Sequence, residues 1–415
     1  MKFRALQSAG PADGALAGIT VVDFGQYIAA PAAAATFAEL GADVIKIEPL
    51  NGDQARRIGV FGDAMIRACN RGKRSLAVDL RDPRGKDIAR RLVAGADVVV
   101  QNMRPGAMER LGLGVEDVHA LNPRAVYASV TGFGSHGPSR ARAGLDIAAQ
   151  AESGIMSVTG TADGDPLRVG LPLVDAATAD SLSQAILAAL FRRERTGRGA
   201  EIEISLLEVA IHLQAANWEE YFDTGREPIR RGNGQPTVAP AADVIGTRDG
   251  HIVLSAYTVE HWASLCRLIG REDLVHDPRF GSNPARVDHR AELLAILGDV
   301  FGRLTTQECV TWLSGNGIVA GAVRGYREVL ESEDVGASGI FRLDPRKVEG
   351  GRYVGLPYQI AGEPRSVSGP APDLGEHTVS VLSDSGLTAT EIDGLLAAGV
   401  VAQPIPIPIH DDITA

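Results

Sequence analysis

Short apolar runs alternate with helical patterns along the first third of the chain. Helical patterns at residues 31–40 and 82–95 end at Gly41 and Gly95, and Asp82 followed by Pro83 is typical of a helix start. Short apolar strands separated by helices are typical of a parallel sheet that is covered on both faces. The strand-like runs are residues 19–24, 42–48, 75–80, 97–101 and 125–130.

This alternation predicts an α/β fold, with a Rossmann-like large domain built on a mostly parallel sheet. Ligands of such sheets bind at the carboxyl ends of the strands. We therefore expect the edges of a site at the residues that follow strands: residues 24–26, Glu48, residues 101–102 and residues 131–132.

The pattern changes after residue 220. A Gly/Pro/Asn-rich stretch is followed by a strand pair around residues 247–250 and by helices that contain Trp262 and Trp312. We interpret residues 221–323 as a smaller α+β domain. Residues 1–15 form a loose tail, residues 16–220 the first part of the large domain, and residues 324–415 a linker and a return to the large domain that includes a helix near residues 389–398.

Composition excludes several classes of function. The net charge of -11 over 415 residues disfavours nucleic-acid binding, so any anionic ligand must be held by local Arg and Lys residues. Cys69, Cys266 and Cys309 lie far apart without CxxC spacing, which predicts neither disulfides nor zinc and fits a reducing cytoplasm. The longest small-apolar stretch, residues 28–38, is too short to span a bilayer, so we expect a soluble protein without membrane contact.

Familiar cofactor motifs do not occur in this sequence. No GxGxxG follows the first strand-like run, and no GxxxxGK[ST] occurs, which disfavours nicotinamide, flavin and nucleoside triphosphate binding. The nine histidines are scattered without HxxxH or HExxH spacing, so no metal site is predicted.

Asp175 lies where a short apolar strand, residues 166–174, should meet an amphipathic helix. Leu182, Ile186 and Leu190 form the apolar stripe of that helix, and Gly197 follows its end. Free N–H groups at a helix start would keep a carboxylate ionised, as a nucleophile requires. However, an Asp at such a position is more often a plain N-cap, and the residues alone favour the cap.

Several separated blocks of the chain resemble one enzyme family over residues 16–401. Their number, order and spacing resemble the class III CoA-transferases, which include the formyl-CoA and carnitine CoA-transferases, and the related α-methylacyl-CoA racemases. The blocks are residues 16–24 (LAGITVVDF), 40–48 (LGADVIKIE), 70–75 (NRGKRS), 97–106 (DVVVQNMRPG), 129–134 (SVTGFG), 144–154 (GLDIAAQAESG) and 195–199 (RTGRG).

The resemblance implies a mechanism and an assembly. Asp175 follows a Gly-x-Pro segment and matches the family nucleophile, which forms an anhydride with the acyl group and then an aspartyl-CoA thioester. Acyl-CoA and a small carboxylic acid would then be the substrates, with no permanently bound cofactor. The family also implies an interlocked homodimer.

The resemblance also implies binding residues. Tyr27, Ile28 and Ala29 would contribute backbone contacts to the CoA pocket, and Val78 with Arg81 would line its nucleotide half, although Arg81 is equally consistent with an exposed charge. Pro49 replaces a basic residue of some relatives, so Arg56 or Arg57 would have to supply that contact. Asn102 and Met103 would contact pantetheine or adenine, and Arg110 a phosphate.

Two further positions bear on the reaction. The racemases use a Gly-His-Asp triplet, but this chain has Leu145 before Asp146, so one half of the proton-transfer pair is absent and a transferase is favoured. Asp146 would cap the helix that begins at residue 147, or support the site, and Leu145 would limit acyl size. Gly232 and Gly234 resemble a loop that closes over the intermediate, although a plain turn explains them equally well. A racemase or a non-catalytic CoA-binding subunit are the alternatives.

Overall fold

The computed structural model describes residues 14–234, 242–256, 258–344, 346, 351–362 and 369–404. The strands are β1 (Thr20–Asp23), β2 (Asp43–Glu48), β3 (Arg74–Val78), β4 (Val98–Gln101), β5 (Val126–Thr131), β6 (Ala200–Ser205), β7 (Ala242–Gly246), β8 (His251–Ser255), β9 (Val319–Ala322), β10 (Phe341–Leu343), β11 (Arg352–Val354) and β12 (Val401–Ala402).

The helices follow the same order along the chain. They are α1 (Ala29–Glu39), α2 (Val60–Cys69), α3 (Pro83–Gly95), α4 (Ala107–Leu111), α5 (Val115–Leu121), α6 (Asp146–Glu152), α7 (Ile155–Val158), α8 (Leu173–Thr196), α9 (Leu206–His212), α10 (Ala215–Thr224), α11 (Val259–Leu268), α12 (Asn283–Asp288), α13 (Arg290–Phe301), α14 (Thr306–Gly315), α15 (Tyr326–Glu331), α16 (Glu333–Ser338), α17 (Thr378–Asp384) and α18 (Ala389–Ala397). Two 3₁₀ turns cover Gln54–Arg57 and Glu272–Val275.

The central sheet has seven strands in the order β12-β3-β2-β1-β4-β5-β6. All its neighbours pair in parallel except β12, which runs antiparallel to β3. The order from β3 to β6 is that of a doubly wound nucleotide-binding sheet. The prediction of a largely parallel α/β sheet is confirmed, while β6 and β12 were not predicted.

Local sequence explains the helices that cover this sheet. The Asp82 side chain accepts a hydrogen bond from Arg84 N at the start of α3, and Pro83 occupies its first turn. All alanines of α1 except Ala32 are buried, and they let that helix pack closely on α8. The predicted stripe of α8 is confirmed, since Leu182 and Ile186 are fully buried.

One described helix, α8, is long and apolar enough to cross a membrane by length and composition alone. It packs against α1, β5 and β6 through its buried stripe, as a core helix of the sheet does.

The chain divides into two compact units. The first comprises Met1–Ser153, Gly170–Leu213 and Gly339–Ala415, and the second Gly154–Val169 and Gln214–Ser338. These boundaries differ from the predicted small domain at 221–323, chiefly because residues 154–169 join the second unit. That segment pairs with residues far along the chain: Gly232 N donates to Gly160 O, and the Arg230 guanidinium donates to the carbonyls of Thr161 and Gly164.

The second unit is built on the antiparallel sheet β7-β8-β9. The strand pair predicted around residues 247–250 is confirmed, since Gly246 pairs with His251 across the turn. Its core is separate from that of the large sheet and includes Trp262, Leu265 and Phe301, all almost fully buried.

Candidate active site

A cavity of about 460 Å³ lies at the carboxyl edge of the large sheet, within the first unit. Its wall comes mainly from the segments that follow β1, β4 and β5, in agreement with the predicted site edges there. Six of the residues predicted from the family resemblance line it: Tyr27, Ala29, Asn102, Met103, Arg110 and Leu145.

Residues that were not assigned from the sequence also line this cavity. They include Gln26, Gln54, Arg104, Thr131 and Arg142. Gln26 and Thr131 fall within the predicted strand-end edges, so their position just after a strand could have identified them as site residues. Arg142 lies eleven residues after β5, and no local pattern marks it.

The loop between β1 and α1 is held in a strained conformation. Tyr27 has φ 62°, an unusual value for a large side chain, which neighbouring contacts must stabilise. The Asp53 carboxylate accepts from Tyr27 N at 3.2 Å and pairs with Lys46 Nζ at 3.0 Å. Lys46 Nζ also donates to Gly25 O at 2.8 Å. The loop is therefore anchored from beneath by a buried ion pair.

A second buried lysine lies under the same loop. Lys73 Nζ donates to the Asp23 carboxylate and to Pro31 O, both at 2.7 Å, and to Asn70 Oδ1 at 2.9 Å. Burial lowers the pKa of Lys73 to about 8, although Asp23 opposes this. Burial also works against ionised Asp23, but Lys73 and Lys46 outweigh it and lower the pKa of Asp23. These paired charges connect β1, β2 and the start of α1.

Two glycines set the far wall of the cavity. A Cβ added to Gly132 would lie 2.5 Å from the Cα of Gly144, and the reverse distance is the same. Only glycine at both positions lets the segment after β5 approach the segment before α6 this closely. The contact places Leu145, whose side chain is largely exposed, in the cavity wall.

Asp175 lies in the first turn of α8 and is half-buried. No hydrogen bond from a described residue reaches its carboxylate. Instead, Asp146 Oδ2 accepts from Val174 N at 2.7 Å and from Asp175 N at 3.1 Å, while Asp146 Oδ1 accepts from Gln150 Nε2 at 2.6 Å. Asp146 therefore caps the helix that carries Asp175, 29 residues away in sequence.

This arrangement corrects four expectations. The residues before α8 form no strand, and the N-cap of α8 is Pro172 rather than an aspartate. Asp146 lies inside α6 and makes no cap bond for that helix. The expectation that helix N–H groups keep Asp175 ionised is also wrong, because Asp146 occupies those groups. Burial, followed by the Asp146 charge, raises the pKa of Asp175 to about 7.

Cys69 at the end of α2 interacts electrostatically with Asp175. Burial raises the pKa of the Cys69 thiol to about 11, so at neutral pH it is protonated and a poor nucleophile. Asp175 therefore has no thiolate competitor at Cys69.

Other predicted residues lie away from the cavity wall. Val78 is fully buried at the end of β3, and Ile28 packs against Met65 and Ile66. The Arg81 side chain is 88% exposed and pairs with Asp79 at 2.9 Å. Gly232 and Gly234 belong to the second unit, so closure of their loop stays a prediction. The described part of the chain contains no cluster of His, Cys, Asp or Glu that fits a metal ion.

Arg56 and Arg57 were candidates to replace the basic residue missing at Pro49. The Arg56 guanidinium donates twice to the Glu48 carboxylate, at 2.7 and 2.9 Å, and once to Pro372 O at 3.1 Å. Arg57 is exposed. The Nε and Nη2 groups of Arg56 are therefore occupied by protein acceptors, and Arg57 is the better candidate for a ligand contact.

Comparison with known proteins agrees with this geometry. A family model described as CoA-transferase family III matches residues 16–378. A succinate–glutarate CoA-transferase from Agrobacterium fabrum is 35% identical over 382 residues, covering 89% of this chain and 95% of that protein. A probable fatty acyl-CoA transferase from Mycobacterium tuberculosis is 36% identical over 389 residues, covering 89% of this chain and 97% of that protein.

A solved structure extends the likeness to the fold. The crystal structure of a CAIB/BAIF family protein from Brucella suis is 33% identical, with a TM-score of 0.81, and the match covers 90% of this chain and all of that one. The sequence blocks, the parallel sheet and the matched family model lead to one assignment. The chain belongs to CoA-transferase family III and is a class III CoA-transferase.

Proposed function

We propose that the protein moves CoA between an acyl-CoA thioester and a free carboxylic acid, with Asp175 as the nucleophile. One observation carries the proposal. Asp175 presents a carboxylate free of hydrogen bonds from the described residues, on a main chain held by Asp146. Asp146 directly follows Leu145 of the cavity wall and accepts a hydrogen bond from Asp175 N, so Asp146 links the nucleophile to the cavity wall.

The reaction balances without an added proton or oxidant. The Asp175 carboxylate attacks the thioester carbonyl, a C–O bond forms, and the C–S bond breaks to give an aspartyl anhydride and CoA thiolate. The thiolate attacks the aspartyl carbonyl, which forms aspartyl-CoA and releases the donor carboxylate. The acceptor carboxylate then repeats these steps in reverse order, which yields the new acyl-CoA and regenerates Asp175.

The environment of Asp175 suits this role. A carboxylate of raised pKa is a more basic and stronger nucleophile than an ordinary aspartate. With a pKa of about 7, close to half of the Asp175 population is ionised at neutral pH. Partial burial also removes water that would compete for the acyl intermediate.

Arg104 and Arg110 lie together in the cavity wall after β4. Both are permanent cations, and guanidinium groups bind phosphate oxygens through charge-assisted hydrogen bonds. We propose that they hold phosphate groups of CoA, which an acidic protein must bind through local positive charge.

A racemase would need a proton carrier beside the thioester. Leu145 stands at the position of the racemase histidine and cannot carry a proton. His136 is exposed, and the described wall of the cavity contains no histidine. The transferase reaction needs no such group, and the site therefore favours it.

The acids exchanged are proposed by chemical class. The two relatives above are named for short dicarboxylates and for fatty acyl groups. We propose that this protein also uses free carboxylic acids as acceptors, and succinyl-CoA with glutarate is the first pair to test. A panel of acyl-CoA donors against mono- and dicarboxylic acids would rank the alternatives.

We also propose an interlocked homodimer in the cytoplasm. Large apolar side chains such as Phe191 (67% exposed), Phe222 (67%) and Tyr326 (93%) lie on the surface of the single chain and suit burial in an assembly. Cys69, Cys266 and Cys309 are all free and buried, which suits a reducing compartment. Light scattering at micromolar concentration should give the mass of two chains, and a monomer would contradict the assembly.

The decisive experiment replaces Asp175. Asp175→Ala and Asp175→Asn should abolish CoA exchange, because neither an alanine nor an amide can form the anhydride. Hydroxylamine added during turnover should convert wild-type Asp175 to a hydroxamate, detected as a mass change on its peptide. Asp180→Asn, an exposed carboxylate on the same helix, is the matched control and should retain wild-type turnover. Exchange by Asp175→Ala, or trapping at another residue, would disprove the mechanism.

A further inference from the structure

Gln26 lies in the cavity wall three residues after β1. Its Oε1 is buried, and no described residue donates a hydrogen bond to it. Among the described residues, its Nε2 donates only to the sulfur of Met103, at 3.8 Å, a weak acceptor. A buried acceptor without a partner is unfavourable in the protein alone and indicates a partner supplied by something else.

The other side-chain oxygen acceptors in this wall are already used. The amide oxygens of Gln54 and Asn102 and the hydroxyl of Thr131 each receive a hydrogen bond from a protein group, the Tyr27 hydroxyl donates one, and the arginines of the wall can only donate. Among the side-chain amide oxygens of the described wall, Gln26 Oε1 is therefore the one that receives no hydrogen bond. The occupied pairs are Tyr27 Oη to Gln54 Oε1 (2.9 Å), Gln26 N to Asn102 Oδ1 (2.8 Å) and Gly134 N to Thr131 Oγ1 (2.9 Å).

The main chain of Gln26 is fixed from both sides. Asn102 Oδ1 accepts from Gln26 N, and Asn102 Nδ2 donates to Gln26 O, both at 2.8 Å. Tyr27, the next residue, is held in its strained conformation by Asp53. The Gln26 amide thus projects from a rigid segment, and binding to it would cost little conformational entropy.

We propose that Gln26 Oε1 accepts a hydrogen bond from an N–H group of CoA. The inference rests on the proposed function, in which CoA occupies this cavity. CoA carries suitable donors in two places, the amides of the pantetheine arm and the exocyclic amine of adenine. Asn102 then acts as a positioning residue for Gln26, because its own amide is committed to the Gln26 main chain.

Gln26→Met tests the contact, because methionine keeps the length of the side chain and removes the acceptor. Calorimetry should show CoA binding weakened about tenfold, which corresponds to about 1.4 kcal/mol. Gln26→Asn shortens the side chain by one methylene group and so moves the oxygen away from the ligand, and it should weaken CoA binding similarly. Gln307→Met, an exposed site in the second unit, should bind CoA as the wild type does.

Two fragments locate the donor. If the donor is a pantetheine amide, Gln26→Met should weaken the binding of pantetheine and leave the affinity for adenosine 3′,5′-bisphosphate unchanged. If the donor is the adenine amine, Gln26→Met should weaken the binding of the bisphosphate and leave the affinity for pantetheine unchanged. Without ligand, Gln26→Met should melt no lower than the wild type, since it removes an unpaired buried acceptor. CoA affinity within twofold of wild type in both Gln26 variants would overturn the inference. If wild-type protein binds CoA in the same experiment, only the Gln26 assignment fails. Wild-type protein that binds no CoA would instead defeat the proposed function itself.

Discussion

The acidity of Asp175 should control the pH dependence of the reaction, and Asp146 offers a way to change it. Burial and the Asp146 charge raise the pKa of Asp175 from 3.8 to about 7, with burial the larger cause. The nucleophile is the ionised form, so kcat/KM of the wild type should fall as pH drops through about 7.

Asp146→Asn removes the charge and keeps an oxygen that can accept from Val174 N and Asp175 N. Because burial persists, the substitution should remove less than half of the rise of about 3 pH units, and a shift of about 1 unit, or about 1.4 kcal/mol, is expected. The midpoint should therefore move to about 6. At pH 5 the ionised fraction would be about tenfold larger than in the wild type.

The assay is kcat/KM for CoA exchange between pH 5 and pH 9, with each profile scaled to its own alkaline plateau. Asp180→Asn removes an exposed carboxylate of the same helix and should leave the midpoint unchanged. Equal midpoints in wild type and Asp146→Asn would refute the electrostatic role of Asp146. A wild-type midpoint below pH 5 would refute the assigned environment of Asp175.

Three further predictions follow from the same geometry. The folded-state pKa of Asp175 exceeds its ordinary value, so its contribution to stability is fully present below about pH 4 and is lost as pH rises through about 7. The stability advantage of Asp175→Asn over wild type in urea denaturation should therefore grow by on the order of 2 kcal/mol between pH 5 and pH 8, and an unchanged difference would contradict this. Arg110→Ala should weaken CoA binding by roughly 1.5–3 kcal/mol in calorimetry, and unaltered affinity would remove Arg110 from the site. The control is Arg327→Ala on the second unit, which should bind CoA with unchanged affinity. Lys46→Met should lower the free energy of unfolding by about 3–5 kcal/mol in urea, because Asp53 would be left buried without its partner, and a loss below about 1 kcal/mol would show that the pair does not anchor the loop.

The sequence alone was sufficient for five of the seven strands of the large sheet and for the family. Strands β1 to β5 and helices α1, α3 and α8 were predictable because burial on one or both faces imposes a hydrophobic period that is visible within a dozen residues. The strand ends then indicated where the cavity would lie, since parallel strands bring their carboxyl ends to one edge. Asp175 itself was identified through the family resemblance, because local pattern favoured a plain cap.

Only the tertiary structure decided the environment of that residue. The hydrogen bonds from Val174 N and Asp175 N to Asp146 join segments 28 and 29 residues apart. Burial in the folded chain, followed by the Asp146 charge, raises the pKa of Asp175 against the sequence-based expectation. The main chain of Gln26 is held likewise by Asn102, which lies 76 residues away, and the buried Oε1 of Gln26 receives no hydrogen bond from the described residues. Desolvation and hydrogen-bond satisfaction are properties of what surrounds a side chain after folding, and local sequence patterns do not contain them.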